Sequence, residues 1–255
     1  MMSMKNIIKI CLSGLMLVMF ATGCKVRDDQ NILVMGTSAD YYPFEFIDFE
    51  SGEIVGFDID LARHIANELG YDDLEIVDMD FNTLITALRS GRVDMVLAGM
   101  TPTPERLGVV DFSDIYHSSQ EVILAASDHV INSIDDLSGL IIGVQTGTLQ
   151  EDIANQLLED GLDAEIMTMD RIPELIQQLI IGRVDVVIID QAVTSPYLAI
   201  HQQLAVFEIF DLDSELKGSA IALPKGSELT EQINEILADM KASGLMNELI
   251  LKWFN

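Results

Sequence analysis

Two segments of this chain repeat one another in register. Leu84-Ile-Thr-Ala-Leu-Arg-Ser-Gly-Arg-Val-Asp-Met-Val-Leu-Ala98 aligns with Leu175-Ile-Gln-Gln-Leu-Ile-Ile-Gly-Arg-Val-Asp-Val-Val-Ile-Ile189. Leu, Ile, Leu, Gly, Arg, Val, Asp and Val recur at matched positions. Each copy reads as an amphipathic helix, a glycine stop, an Arg-Val-Asp link and a buried strand. Independent helix–turn–strand units can converge on such a pattern. The shared Gly-Arg-Val-Asp favours two similar lobes.

The rest of the chain alternates in the same way. Ile32–Met35 and Leu74–Val77 read as strands, and Val93–Ala98 as a buried one. Asp58–Leu69 keeps helical apolar spacing and stops at Gly70, and Asn82 is placed to cap a helix that runs to Arg89. This alternation predicts an α/β fold with largely parallel sheets. In such sheets ligands bind beyond the carboxyl ends of the strands. The first copy runs into Gly99-Met100-Thr101 and the second into Asp190. Facing lobes would bring both ends to one cleft, with backbone groups and a hydroxyl opposite a carboxylate. That pairing suits a zwitterion.

Thr101-Pro-Thr-Pro-Glu-Arg106 extends the first strand end. Thr103-Pro104 reads as a helix cap and first helical residue, and a helix start favours an anion. Arg106 is either a planar fork for a carboxylate or a surface salt-bridge partner. Gly143-Val-Gln145-Thr-Gly147-Thr148 follows the strand Leu140–Val144, and Thr148 with Glu151 has capping-box spacing. Asp190 ends an apolar run, where a carboxylate needs a partner. It could pair with Arg, cap the next segment or receive an ammonium. Tyr41 and Phe81 stand near strand ends, as core residues or as a sandwich for a flat or cationic group.

The first 23 residues read as an export signal rather than fold. They hold no acid, begin with Lys5 and Lys9, and continue as an apolar run from Ile10 to Ala21 that is short for a membrane span. Phe20-Ala-Thr-Gly-Cys24 resembles a bacterial lipoprotein cleavage site, which predicts lipid on Cys24 and a tether over 24–31. Cys11 leaves with the signal, so no disulfide is expected in the mature chain. With 42 acidic residues against 14 Lys and Arg and a net charge of −28, the chain lacks the basic footprint of a nucleic-acid binder. The four histidines, His64, His117, His129 and His201, are scattered, so neither a metal nor another cofactor is expected.

Several spaced motifs together resemble family 3 of the bacterial extracellular solute-binding proteins, the polar-amino-acid receptors of ABC importers. They are Gly56-Phe-Asp-Ile-Asp-Leu-Ala62, Tyr42-Pro-Phe-Glu45, Gly99-Met-Thr101 with Arg106, Val110-Asp-Phe-Ser113, Gly143-Val-Gln145 with Gly147-Thr148, Val184-Asp185 with Asp190, and Lys252-Trp-Phe254. The resemblance runs from about Ile32 to Asn255. It implies a two-lobed periplasmic-binding-protein-like fold: two α/β lobes joined by two hinge strands, with ligand in the interlobe cleft. Lobe 1 would hold 32–117 and 218–255, and lobe 2 would hold 118–217. Arg106 matches the position that clamps the ligand α-carboxylate, with Thr101 and the backbone of Gly99 beside it. Asp190 matches the α-ammonium acceptor. Gly147 and Thr148 match the lobe 2 loop at the carboxylate, and Tyr41 and Phe81 the aromatic walls. Ser38, Ala98 and Gln145 fall at positions that tune specificity.

Ser38 stands where several cationic-amino-acid receptors carry Asp, whereas an aromatic pair suits guanidinium or the amide of glutamine. The resemblance thus implies a monomeric receptor that delivers a free polar amino acid to ABC permease subunits, held to the membrane through Cys24. The alternatives are a dehydratase-like enzyme of the same fold, or a ligand sensor without transport.

Overall fold

The computed structural model describes residues 31–118, 120–208 and 218–254. The export signal, Cys24 and most of the tether lie outside the described residues. Asn31, expected to close the tether, is already engaged: its side-chain amide donates to the Gly70 carbonyl at 2.9 Å. Its own carbonyl accepts the Asp72 N–H at 2.8 Å.

The chain opens with β1 (Ile32–Thr37) and a small hairpin set, β2 (Asp40–Tyr41), β3 (Glu45–Ile47) and β4 (Ile54–Val55). Then follow α1 (Phe57–Glu68), β5 (Asp73–Asp78), α2 (Leu84–Arg89), β6 (Met95–Val96), α3 (Pro104–Leu107) and β7 (Val110–Phe112). A second set comprises β8 (Glu121–Ala126), β9 (Ile141–Gln145), α4 (Leu149–Glu159), β10 (Glu165–Met169), α5 (Ile172–Ile180), β11 (Val186–Asp190), α6 (Ser195–Ile200) and β12 (Leu204–Phe207). The chain ends with β13 (Ala222–Pro224), α7 (Leu229–Ser243) and α8 (Leu245–Trp253).

Two five-stranded sheets result, ordered β5-β1-β6-β13-β7 and β10-β9-β11-β8-β12. In each, three parallel strands are followed by two joined antiparallel. Four strands of each sheet therefore run in one direction, in keeping with largely parallel sheets, and a single strand, β13 or β8, runs against them. The antiparallel members enter where the chain passes from one sheet to the other. Near these passages His117 bridges Ser219, with the Ser219 N–H donating to the His117 carbonyl at 2.8 Å.

The sequence repeat has a structural counterpart that reaches beyond its own residues. In both copies the residue after the glycine bonds back to the helix, Arg92 N–H to the Ala87 carbonyl and Arg183 N–H to that of Gln178. This is the Schellman ending that a glycine at C′ permits. The repeated Asp then clasps the neighbouring strand. Asp94 accepts the Val34 N–H at 2.9 Å and donates its own N–H to the Val34 carbonyl at 2.8 Å. Asp185 does the same with Ile141, at 2.8 and 3.0 Å. Each clasped strand carries a glycine under the repeat's apolar side chains. A Cβ on Gly36 would meet Leu84 and Val93 at 3.3 Å, and one on Gly143 would meet Leu175 and Val184 at 2.7 Å. The repeat is thus a helix-over-sheet unit whose close approach needs a bare backbone on the adjacent strand.

Two local expectations change. Asn82 does not cap a helix through Arg89; it lies within a 3-10 turn, Phe81–Thr83, that leads into α2. The Val93–Ala98 segment is regular strand only over Met95–Val96, although Val93 and Met95–Ala98 are all buried. Leu97 and Thr37 still join across it, Thr37 Oγ1 donating to the Leu97 carbonyl at 2.8 Å.

Candidate functional site

The carboxyl ends of the central parallel strands from both sheets converge on one cavity. After β1 come Ser38, Asp40 and Tyr41; after β6 come Ala98, Gly99 and Thr101. Gln145 closes β9 and Asp190 closes β11. Phe81, Arg106 and Thr148 complete the expected set in the lining, so ten of the eleven expected ligand residues meet there. Gly147 is the exception; it contributes its carbonyl to Arg106 instead.

Arg106 is held by the short helix α3. Thr103 caps that helix, its hydroxyl accepting the Arg106 N–H at 3.3 Å, with Pro104 as the first helical residue. The guanidinium donates through Nη1 to the Thr101 carbonyl at 2.7 Å and through Nη2 to the Gly147 carbonyl at 2.9 Å. Its carbon lies 5.3 Å from the Phe81 ring centroid. Burial draws its pKa down to about 10, so it remains a cation at neutral pH. Five N–H donors on a guanidinium leave three beyond these two bonds.

Across the cavity, Asp190 caps a 3-10 turn by accepting the Ala192 N–H at 2.8 Å. Of the three roles open to it from sequence, capping is one it fills. Thr148 caps α4, accepting the Glu151 N–H at 3.3 Å and donating to the Gln145 carbonyl at 2.7 Å. The expected reciprocal half of a capping box is displaced by one residue: Glu151 accepts the N–H of Gly147, at 2.6 Å, rather than that of Thr148. Gly99 also differs from expectation. Its N–H donates to Asp58 at 3.1 Å, so the backbone group it has left for a ligand is its carbonyl. Gln145 donates to the Asp170 carbonyl at 3.0 Å, and the Ser38 hydroxyl to Asp40 at 3.2 Å.

Five lining residues were not singled out from sequence: Asp40, Glu45, Glu121, Leu149 and Gln150. Three of them are carboxylic acids, which changes the electrostatics of the site. With Asp190 the cavity carries four acids against Arg106 alone among basic side chains. They form no metal-ligating group among the described residues. Asp40 is raised to about 6, chiefly by burial. Glu121 is pushed up to about 8, by burial first and then by the charge of Asp190. Glu121 is the antiparallel register partner of Asp190 and accepts from the Gln150 amide at 2.8 Å. No local pattern in the chain marks Glu121, because it reaches the site only when β8 pairs with β11. Asp40 adjoins Tyr41 and could have been found by extending that loop.

Contacts outside the cavity fasten the two sheet-bearing halves together. Arg171, just before α5, bonds Asp80 at 2.8 Å and Asp78 at 3.0 Å. The Ile172 N–H donates to Asp40 at 2.9 Å, so a cavity acid also touches the start of α5. With the Arg106–Gly147 bond, these contacts describe a closed cleft.

The model of the bacterial extracellular solute-binding proteins, family 3, matches residues 33–255. The chain belongs to that family. Among family relatives, the arginine-binding extracellular protein ArtP of Bacillus subtilis (strain 168) is 46% identical over 223 residues, 87% of this chain and 86% of ArtP. The crystal structure of the substrate-binding protein of an amino acid ABC transporter superposes with a TM-score of 0.82 at 42% identity, covering 88% of this chain and 99% of that one. An ancestral arginine-binding protein bound to arginine gives 0.81 at 38% identity, covering 89% and 99%. The two-lobed α/β architecture of the solute-binding family is thus the fold of this chain. Among the described residues, no helix is long and apolar enough to cross a membrane.

Proposed function

We propose that this protein is an extracellular receptor that closes on one free amino acid with a cationic side chain, arginine first, and presents it to the permease of an ABC importer. The observation that carries this reading is the charge pattern of the cavity, one guanidinium and four carboxylic acids drawn from both halves of the fold. Arg106 and Thr101 take the α-carboxylate and Asp190 the α-ammonium. Gly147 and Thr148 bring the second lobe to the carboxylate, Gly99 contributes its carbonyl, and Tyr41 and Phe81 flank the side chain. Ser38, Ala98 and Gln145 shape the space around it. A single guanidinium balances one carboxylate; a ligand that brings a second positive charge would favour ionisation of the surplus acids, which burial otherwise holds toward their neutral forms. Arginine-binding relatives support the same choice.

Lobe 1, over 32–117 and 218–255, and lobe 2, over 118–217, would separate by a hinge motion between the sheets. A ligand that touches both selects the closed form. The binding chemistry needs no nucleophile or general acid, which favours a receptor over a dehydratase of the same fold. The protein acts as a monomer.

A thermal-shift screen of the twenty amino acids, on protein unfolded and refolded to strip bound ligand, tests this. Ligand at 100 times its Kd stabilises by about 2.7 kcal/mol, and each kcal/mol moves Tm by roughly 2–4 °C in a chain of this size. Arginine is expected to raise Tm by about 5–10 °C on that basis. A flat response to all twenty overturns the receptor reading.

The lipoprotein-like signal supports anchoring through diacylglycerol on Cys24. Intact-mass measurement of protein extracted from membranes is expected to show acyl chains on that residue. An unmodified Cys24 in the soluble fraction removes the anchor.

A further inference from the structure

Helix α5 begins without a cap from its own lobe. Arg171 stands at the cap position with extended backbone, φ −127° and ψ 138°, and its side chain makes no capping bond. The first N–H of the helix, that of Ile172, goes instead to Asp40 Oδ2 in lobe 1, at 2.9 Å. A carboxylate at a helix start is favourable through both the hydrogen bond and the helix dipole. Here it arrives from the other side of the cleft.

The Arg171 side chain crosses the same gap. Its Nε donates to Asp80 Oδ1 at 2.8 Å, and its Nη1 and Nη2 to Asp78 Oδ1 and Oδ2 at 3.0 and 3.4 Å. The fork thus spans both oxygens of Asp78, a geometry that a lysine cannot reproduce. Asp78 Oδ1 also accepts the Ala39 N–H at 2.9 Å, and Asp80 caps the 3-10 turn that begins with Phe81. Arg171 and Ile172 therefore grip the two loops that carry Tyr41 and Phe81 into the cavity lining. On its own side the grip is set by a cavity residue, since Gln145 donates to the carbonyl of Asp170, next to Arg171, at 3.0 Å. Arg171, Asp78 and Asp80 do not themselves line the cavity.

We infer that Arg171 is a positioning residue for closure, a latch that sets how long the closed lobes hold a ligand and leaves the choice of ligand to the cavity. Its ion pairs cross between the lobes, so they are made on closing and lost on opening. They stand apart from the ligand space, so they contribute equally to every ligand that lets the lobes close. Because they form after the ligand has entered, they slow release and leave entry unchanged. The side chains are partly exposed, Arg171 at 24% and Asp80 at 47%. A single pair of that kind contributes little, and the effect comes from three donors acting together beside the cross-lobe cap.

This inference rests on the receptor reading. Calorimetric and stopped-flow titration of Arg171→Ala with arginine, lysine, histidine and glutamine tests it. Each amino acid that binds the unaltered chain is expected to bind the variant more weakly by one common factor, about 3–30-fold. The loss is expected in faster dissociation, with association unchanged within about twofold. Ligand-free Tm, which a merely structural role would lower, is expected to stay within about 2 °C. Asp78→Asn keeps an acceptor for the Ala39 N–H; added to Arg171→Ala, it is expected to weaken binding no further, since the two residues act as one device. An unmoved affinity in Arg171→Ala, or a loss that differs more than about threefold between ligands, overturns the latch and leaves the receptor reading standing. Failure of the unaltered chain to bind any amino acid overturns both. If Arg171→Ala does not fold, Arg171→Lys, which keeps the charge without the fork, is expected to show the same uniform loss at smaller size, and equal affinity in that variant overturns the latch.

Discussion

Arg106→Ala is expected to lower amino-acid affinity by about 10²–10⁴-fold, since a bidentate pair of hydrogen bonds between charged groups contributes roughly 3–6 kcal/mol. The guanidinium has a buried cavity on one side and spends only two of its donors on backbone carbonyls, those of Thr101 and Gly147. The rest are available to a ligand carboxylate, in a setting where water competes poorly. Folding depends on it less. Alanine would forfeit two hydrogen bonds and the contact with Phe81, about 2–3 kcal/mol together, and the ligand-free Tm would fall by roughly 4–12 °C. Calorimetric titration of the folded variant decides the matter. An affinity within tenfold of the unaltered protein would remove Arg106 from the site. The variant also loses the bond to Gly147, so its empty cleft is expected to open more readily.

The second large effect is on stability. Gly56→Ala is expected to lower ligand-free Tm by roughly 5–20 °C, from about 2–6 kcal/mol of combined backbone strain and overpacking. Gly56 precedes α1 with φ 141° and ψ 179°, a conformation open in practice to glycine alone. A Cβ there would lie 2.1 Å from the Phe44 carbonyl oxygen and 2.9 Å from the Glu45 nitrogen. Those are backbone atoms and cannot turn aside. The Phe44 carbonyl also accepts the Asp58 N–H at 2.8 Å, and the Pro43 carbonyl accepts that of Phe57 at 2.9 Å. Displacing this segment unseats the start of α1 and the cavity acid Glu45 together. Gly70→Ala is the control: its φ is 77°, but no atom lies within 4 Å of the added carbon. It should cost far less. Equal melting of Gly56→Ala and the unaltered protein would refute the close approach.

Much of the site was legible because its residues follow strand ends that announce themselves. Apolar runs, a glycine stop and the repeated Arg-Val-Asp placed Gly99, Thr101 and Asp190 at the ends of two comparable strands. The rule that ligands lie beyond such ends did the rest. Thr103-Pro104 and Thr148 were legible as caps because capping chemistry is local. Of the missed residues, Asp40, Leu149 and Gln150 adjoin residues the sequence marks, whereas Glu121 enters the cavity through a pairing distant in sequence. Glu121 arrives when β8 lies antiparallel to β11. Gln150 follows a cap that was recognised, but its direction depends on where α4 packs. Gly36 and Gly143 belong to the repeat in space without being part of it in sequence.

Periodicity, stops and the internal repeat by themselves determined the α/β class and a pair of like lobes. The motifs added the family resemblance and the residues that grip an α-amino acid. These are properties of local hydrogen bonding and of apolar spacing, which the chain carries wherever it folds. Only the tertiary structure decided the one reversed strand of each sheet, the closing contacts of Arg171 and the acidic character of the cavity. Charge state is a matter of surroundings. Whether a carboxyl is ionised depends on its burial and on the donors that reach it, and at Asp58 those donors are Tyr116 and Gly99, brought together from separate parts of the chain.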